Sequence, residues 1–498
     1  MAADATGVVF PGAVGVAGPT ARHPAARGRA DRPLPAAGPW GHVLRRSAHL
    51  LPAVAVVALL AVPSAPAGDG SAGSGGVADA ASGLLVLYCL VRVLRDRARP
   101  LTRTAALVLG LPVLGVGIAA VTAHDPASSL PGVARYLQIF VLVPGALLLL
   151  LRDRRDFRLV AGSVVVLALA QGAVGVTQYL TGTGASYMGE EIRAVGTFGP
   201  TDVMGMATVV AYGLIICVGF ALSPAANGAN GADGADGSDG ADGRGRHVAR
   251  VRRAVALGCA GLLAVPLALS FSRGAWIATA VAVVLQLTLS GPRRAVVVVL
   301  VAGALGVVLV GGLGIGSQMI NERLDSITRV TDAPDQSVTD RYTMWAAATD
   351  MWREHPVTGV GLKGFPAHRD SHASLALSAA SDTEGAGLGF QRQPLLSPHN
   401  MYLLVLSEQG LLGIVALAGG WAALLVRALR RLPGAYRSRT GADCGLAVTG
   451  LLVWQLVDFS YADIGGPSTV LTAVMLGLAA RWALGPVGRP ARSEAGRA

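Results

Sequence analysis

Lysine is almost missing from this chain: Lys363 stands alone beside forty arginines. In a sequence crowded with Ala and Gly, that imbalance reads as the codon bias of a GC-rich genome, not as selection for guanidinium chemistry. Charge in general is scarce. Asp, Glu, Lys and Arg make up 14% of the residues, against about 25% in soluble domains, which excludes an ordinary water-soluble globule. Cysteine is scarce too. Cys89, Cys217, Cys259 and Cys444 all fall inside apolar runs, so a secreted disulfide framework is excluded, and they match no metal-ligand spacing.

What fills the space is apolar. Hydrophobic residues make up 52% of the chain, and mean hydropathy is +0.53. Runs of roughly 20 apolar residues, enough to cross a hydrocarbon layer of ~30 Å, recur along the sequence. They are continuous in Leu, Val and Ala and do not alternate with period two, which excludes a barrel. The chain is therefore expected to be an all-α integral membrane protein with about twelve transmembrane helices. The expected spans are 43–63, 77–94, 104–123, 133–151, 159–180, 201–222, 253–271, 274–290, 295–313, 399–426, 442–461 and 465–484.

Arginine fixes the orientation. The stretches 92–103, 152–158, 244–253, 293–294 and 427–439 are Arg-rich, whereas the alternate short connections hold only Arg135, Arg193 and Arg273. The positive-inside rule puts both termini in the cytoplasm. The net charge of +11 is accounted for by this inner-leaflet stitching, so no nucleic acid partner is implied. The expected organisation is a disordered cytoplasmic tail (1–42), spans one to six (43–222), and a low-complexity cytoplasmic linker (223–252). Spans seven to nine (253–313), a large outer loop (314–398), spans ten to twelve (399–484) and a short cytoplasmic tail (485–498) follow. The linker repeats Gly-Ala-Asp through Asp233, Asp236, Asp239 and Asp242. It lacks the alternating apolar positions of a calcium-binding roll and reads as flexible.

The outer loop is expected to be partly helical. A helix starts near Asp340, a suitable N-cap, and stops at His355-Pro356. Arg341, Trp345, Ala348 and Trp352 share one face of it, which suits an amphipathic helix lying on the bilayer or on the bundle. The glycine-rich turn at 358–364 lacks phosphate-loop spacing.

Three segments could carry chemistry. Arg193 lies between spans five and six, ahead of Gly196 and Gly199-Pro200. An anion there would meet the guanidinium, backbone N–H groups and a helix N-terminus together; the alternative is an ion pair with Glu190 or Glu191. Arg273 sits in a very short connection beside Ser270, Ser272 and Gly274, where an intramembrane arginine needs compensation; the alternative is snorkelling to headgroups. His399, between Pro398 and Asn400, opens span ten. Neutral imidazole is the usual general base near pH 7, although a lone histidine at a helix start is commonly a cap. Glu408 is a rare acid inside the same span and a candidate to orient a partner. His368, Asp370 and His372 form the one metal-like spacing, without a fourth ligand nearby. No Asp-x-Asp pair occurs on the outer side, so arginines in place of a divalent cation are the more economical expectation, with no metal and no cofactor.

Taken in order, these segments resemble the O-antigen ligase and O-antigen polymerase superfamily of bacterial polytopic membrane glycosyltransferases. The resemblance is carried by Arg193 with Gly196-Thr-Phe198, Ser272-Arg-Gly274, Arg341 with Trp345, the run His355 to Gly361, His399-Asn-Met-Tyr-Leu403, Glu408, and Gly410-Leu-Leu-Gly413. It covers roughly 190–415, and the family's usual Asn after Gly-Thr-Phe is replaced by Thr201-Asp202. The resemblance implies a GT-C-like fold and a glycan donor on polyprenyl diphosphate such as undecaprenyl diphosphate. It also implies transfer on the outer face of the cytoplasmic membrane, metal-independent and inverting, to a glycan, lipid or protein acceptor in cell-envelope polysaccharide synthesis. By position, Arg193 and Arg273 match the arginines that hold the diphosphate, and His399 the proposed base; Arg341, Asn400 and Glu408 are possible accessories. A repeat-unit polymerase shares these motifs. A lipid-glycan transporter or flippase is the rival of another class, and it should show paired repeats and midplane charges.

Overall fold

The computed structural model describes residues 47–63, 76–96, 101–123, 125–187, 190–199, 202–224, 239–291, 293, 296, 300, 336–374, 377, 395–464, 466 and 468–486. A short 3-10 turn, Ala48–Leu50, leads into α1 (Leu51–Leu59), α2 (Val77–Asp96) and α3 (Arg103–Val121). Then come α4 (Pro126–Leu137), a π-turn (Gln138–Leu142), α5 (Val143–Leu150) and α6 (Arg154–Thr181). A two-stranded antiparallel hairpin, β1 (Ala185–Tyr187) and β2 (Glu190–Arg193), precedes α7 (Val203–Leu222), α8 (Asp239–Leu269) and α9 (Arg273–Ser290). The outer region contributes α10 (Gln336–Glu354) and α11 (Phe365–His372). The chain closes with α12 (Met401–Arg437), α13 (Ala442–Asp458) and α14 (Thr469–Leu484).

The protein is an all-α membrane protein: among the described residues, eight helices are long and apolar enough to cross a membrane. Two shorter apolar helices, Ala48–Leu59 and Thr469–Leu484, coincide with the first and last expected spans, and α13 coincides with the eleventh. The ninth expected span, 295–313, and most of the outer loop between it and α10 lie outside the described residues, as do the two expected tails. One boundary differs from expectation. Helix α8 starts at Asp239, so helix replaces the second half of the stretch read as linker.

Helix is what lipid demands of these runs, because it satisfies every backbone N–H and C=O within the segment. The core centres on α7: 94% of its most apolar stretch is buried, against 22% for α8. Small residues let neighbours approach. A Cβ on Gly219 of α7 would stand 2.7 Å from the Ala447 nitrogen of α13. Gln286 of α9 spans the same junction, donating from Nε2 to the carbonyls of Ile215 and Leu446, each at 3.0 Å.

The outer helices pack on this bundle through Met344, Ala347, Ala348 and Met351 of α10, all at most 1% exposed. That face overlaps the face read from sequence only at Ala348. Both tryptophans instead spend their indole N–H on protein: Trp345 Nε1 donates to the Pro398 carbonyl at 2.9 Å and Trp352 Nε1 to that of Pro356 at 3.2 Å. Helix α11 is latched to the end of α10 by His372 Nε2, 3.1 Å from Glu354 Oε2.

Partial burial pulls the His372 pKa down, but the His368 carbonyl, Glu354 and Asp350 outweigh it, and the net displacement is upward. A raised histidine pKa contributes stability that is fully present below the unfolded value, about 6.5, and lost as pH rises through the folded value. The latch should therefore stabilise the outer helices in mild acid. The thermal midpoint of wild type should exceed that of His372→Gln most at about pH 5.5, with the gap closing by about pH 8.

Candidate active site

Arg193 is the last residue of β2, and the chain beyond it is stitched to two helices. The Ala194 amide donates to the Leu269 carbonyl at 3.1 Å, and Arg193 Nε donates to the Ser270 carbonyl at 3.0 Å. Two glutamines one heptad apart on α6 clamp the following turn. Gln178 Oε1 accepts from the amides of Val195 (3.1 Å) and Gly196 (2.9 Å), while its Nε2 donates to the Gly196 carbonyl. Gln171 Oε1 accepts from the Thr197 amide at 2.9 Å. This corrects one expectation: the N–H groups of 195–197 are consumed by glutamines and are not an anion cradle. What the segment presents is the Arg193 guanidinium on a rigid mount.

The connection holding Arg273 is equally committed. Ser270 Oγ donates to the Leu267 carbonyl at 2.6 Å, and Ser272 caps α9, accepting from the Ala275 amide at 3.3 Å. Both hydroxyls are buried, so they serve the turn, not a ligand. Arg273 is the first residue of α9, and the Arg193–Ser270 bond fixes the two arginine segments against each other.

The link to the histidine is the turn after α13. A Cβ on Gly274 would lie 3.4 Å from the Tyr461 side chain, so α9 begins against this turn. On its other side the turn receives the start of α12. The Met401 amide donates to the carbonyls of Phe459 (2.9 Å) and Ala462 (3.1 Å), and Asn400 Nδ2 donates to that of Ser460 at 3.2 Å. Asn400 also caps α12, its Oδ1 accepting from the Leu403 amide at 3.1 Å; its position is that of a scaffold residue. His399 precedes it with φ +50° and a side chain 47% exposed. Its Nδ1 lies 4.0 Å from Asp463 Oδ2, and that carboxylate accepts from Ser397 Oγ.

Asp463, Ser397, Gln171 and Gln178 escaped the sequence reading. Asp463 sits in the loop read as the plain join of two spans. The signal that could have found it was an acid on the side of the membrane to which the arginine pattern assigns Arg193, Arg273 and His399.

Glu408 lies deeper. It is 2% exposed on α12, and its Oε1 accepts from the Phe365 amide at 3.3 Å; Lys363, the only lysine, acts on it electrostatically. Two residues on, Gly410 takes φ +62° and ψ −160° and breaks the helix. The glycine-rich turn of the outer region inserts there. Val360 and Gly361 amides donate to the carbonyls of Ser407 (2.8 Å) and Glu408 (3.1 Å). Leu411 and Leu412 amides donate to those of Pro356 (2.9 Å) and Val357 (3.2 Å). Arg341 lies one turn before Trp345 on α10, whose indole holds the carbonyl next to His399. His368 and His372, the histidines of the one metal-like spacing, are one helical turn apart on α11, with each Nδ1 against a backbone carbonyl.

The third outer arginine is scaffold. Arg135 pairs with Asp79 and donates from Nη2 to the Gly466 carbonyl at 3.2 Å. Beside it Asp202, the departure noted above, accepts from the Ser468 amide at 3.2 Å and ties α7 to the same loop.

Residues 258–418 match the family model described as O-antigen ligase. The match takes in Arg273, Arg341, His399, Asn400, Glu408 and Gly410; Arg193 lies outside it. No curated protein matches the chain at a significant level.

Gly410 combines a left-handed φ with contact: a Cβ would stand 2.3 Å from the Val357 carbonyl oxygen. Gly410→Ala should therefore cost about 1–3 kcal/mol and release the 356–364 turn. Limited proteolysis of membrane vesicles should then cut that turn faster than in wild type.

Proposed function

We propose, for a chain whose residues 258–418 belong to the O-antigen ligase family, that it transfers a glycan from a polyprenyl-diphosphate carrier to an acceptor hydroxyl. The reaction takes place at the outer boundary of the bacterial cytoplasmic membrane. The observation that supports this reading is that the start of α9, beside Arg273, and the start of α12, beside His399, both pack on one turn, 459–464, while Arg193 is joined to the Arg273 segment through the Ser270 carbonyl. Two rigidly mounted guanidinium groups suit a diphosphate, whose oxygens each can engage in bidentate fashion. An exposed imidazole with a carboxylate behind it suits a base.

In the proposed reaction the donor's lipid lies among the helices and its diphosphate meets Arg193 and Arg273. His399 Nε2 takes the proton of the acceptor hydroxyl. The acceptor oxygen bonds to the anomeric carbon as the carbon–oxygen bond to the diphosphate breaks, and the electron pair leaves on lipid diphosphate with inversion at the sugar. The arginines stabilise charge that grows on this leaving group, an electrostatic term that frequently dominates catalysis. Asp463 acts as a positioning residue: held by Ser397, it steadies the imidazole from the Nδ1 side and favours the cation formed when the proton arrives. Glu408 serves one step further out, by fixing the turn on which α10 rests.

The test is transfer from a lipid-diphosphate glycan in membranes. Arg273→Ala and His399→Ala should each reduce transfer by roughly 10²–10⁴-fold while the protein inserts normally. Asp463→Asn should lower kcat about tenfold with little change in donor KM, and Asp463→Glu should recover part of it. Wild-type rates in both Arg273→Ala and His399→Ala would refute the reading.

A further inference from the structure

Tyr342 and Trp345 stand one helical turn apart on α10, ring centroids 5.5 Å apart and planes at 81°. Neither belongs to the buried face of that helix. Tyr342 is 50% exposed, and Trp345 is half-buried. In an interfacial aromatic belt the indole N–H is turned to water or headgroups. Here Trp345 Nε1 is bonded at 2.9 Å to the carbonyl of Pro398, the residue before His399. The ring is thereby registered to the turn that presents the imidazole, and its position is set by the protein, not by a bilayer.

Edge-to-face geometry makes the two rings an L-shaped corner beside an exposed histidine. Such a corner suits a ligand with both an apolar face and a polar rim. A pyranose is of this kind: its axial C–H bonds form an apolar face that lies on an aromatic ring, while its hydroxyls stay at the edge for water and polar groups. Aromatic side chains bring large contact area at low entropic cost, with a polar handle in Tyr.

We infer that Tyr342 and Trp345 form a saccharide-binding platform that presents an acceptor sugar to His399. The inference rests on the proposed transferase reading for what happens to the sugar, though not for its binding. Arg341 lies one turn before Trp345 on the same helix and so shares its face.

The experiment measures binding apart from transfer. Full-length protein in nanodiscs of phosphatidylethanolamine and phosphatidylglycerol is titrated with soluble N-acetylglucosamine, galactose, mannose and cellobiose, followed by saturation-transfer NMR. At least one sugar should bind wild type. It should bind the Arg273→Ala variant equally well, since the proposed diphosphate contact takes no part in the platform. Tyr342→Ala should weaken binding about tenfold and Tyr342→Phe much less, in keeping with an aromatic contact. Trp345→Phe keeps a ring but loses the bond to Pro398, and should also weaken binding. The inference is overturned if none of the four sugars binds, or if Tyr342→Ala binds as wild type does. Loss of platform binding with transfer chemistry intact at His399 and Arg273 would separate failure here from failure of the transferase reading. Conversely, normal sugar binding in a protein that transfers nothing would leave the platform standing alone.

Discussion

The outer end of the molecule depends on a helix that is interrupted inside the bundle. At Gly410 the backbone of α12 leaves helical geometry, and the carbonyls of Ser407 and Glu408 and the amides of Leu411 and Leu412 lose their intrahelical partners. Away from water each such group would cost several kcal/mol. All four are satisfied by Pro356, Val357, Val360 and Gly361 of the outer region. The turn is consequently obligatory: remove it and α12 is left with unpaired backbone. Because the turn follows directly from α10, the same four bonds seat that helix, and α10 in turn holds the Pro398 carbonyl through Trp345. A backbone defect in a transmembrane helix has become the anchor of the histidine.

A second constraint sorts the three arginines that break the positive-inside pattern. Arg135 is paired with Asp79 and bonded to Gly466, close to the π-turn that reshapes the α4–α5 helix. Its charge is compensated by a carboxylate, so it serves as scaffold. Arg193 and Arg273 belong instead to the two turns whose segments the Arg193–Ser270 bond holds together, and the proposed diphosphate contact is assigned to that pair.

The sequence was most legible where its periodicity was strongest. Continuous Leu, Val and Ala runs set out the membrane class, and the unusual positions of Arg193, Arg273 and His399 pointed to the segments on which the proposed site is built. The misreadings share one cause. Ser270, Ser272 and the amides of 195–197 looked like ligand groups because short polar segments in an apolar chain are conspicuous. Yet tight turns at a membrane boundary must first satisfy their own backbone, and Gln171 and Gln178 on α6 do that for 195–197. Those glutamines looked like ordinary polar residues in a long helix, and only the return of the chain over α6 gives them partners. Likewise, Asp463 acquires meaning only when α12 starts against the turn that carries it. The linker boundary failed for a different reason: Asp-Gly repeats weaken helix locally, while the Arg- and Val-rich stretch after them sustains a helix that extends back to Asp239.

These contacts divide the site between two kinds of support. The Arg193 and Arg273 segments belong to the membrane bundle, on turns clamped by α6 and capped into α9. His399 stands between that bundle and the outer helices: Asn400 and Met401 tie it to the turn after α13, while Trp345 ties Pro398 to α10. Under the proposed transferase reading, the arginine segments would hold a large lipid-linked donor from the bundle, while a base shared with a docked helix would let an acceptor enter and leave. The family match, which ends at 418, takes in both the broken turn of α12 and the histidine. The break, the inserted turn and α10 form one mechanical unit, and through Trp345 it supplies one of the two supports on which His399 stands.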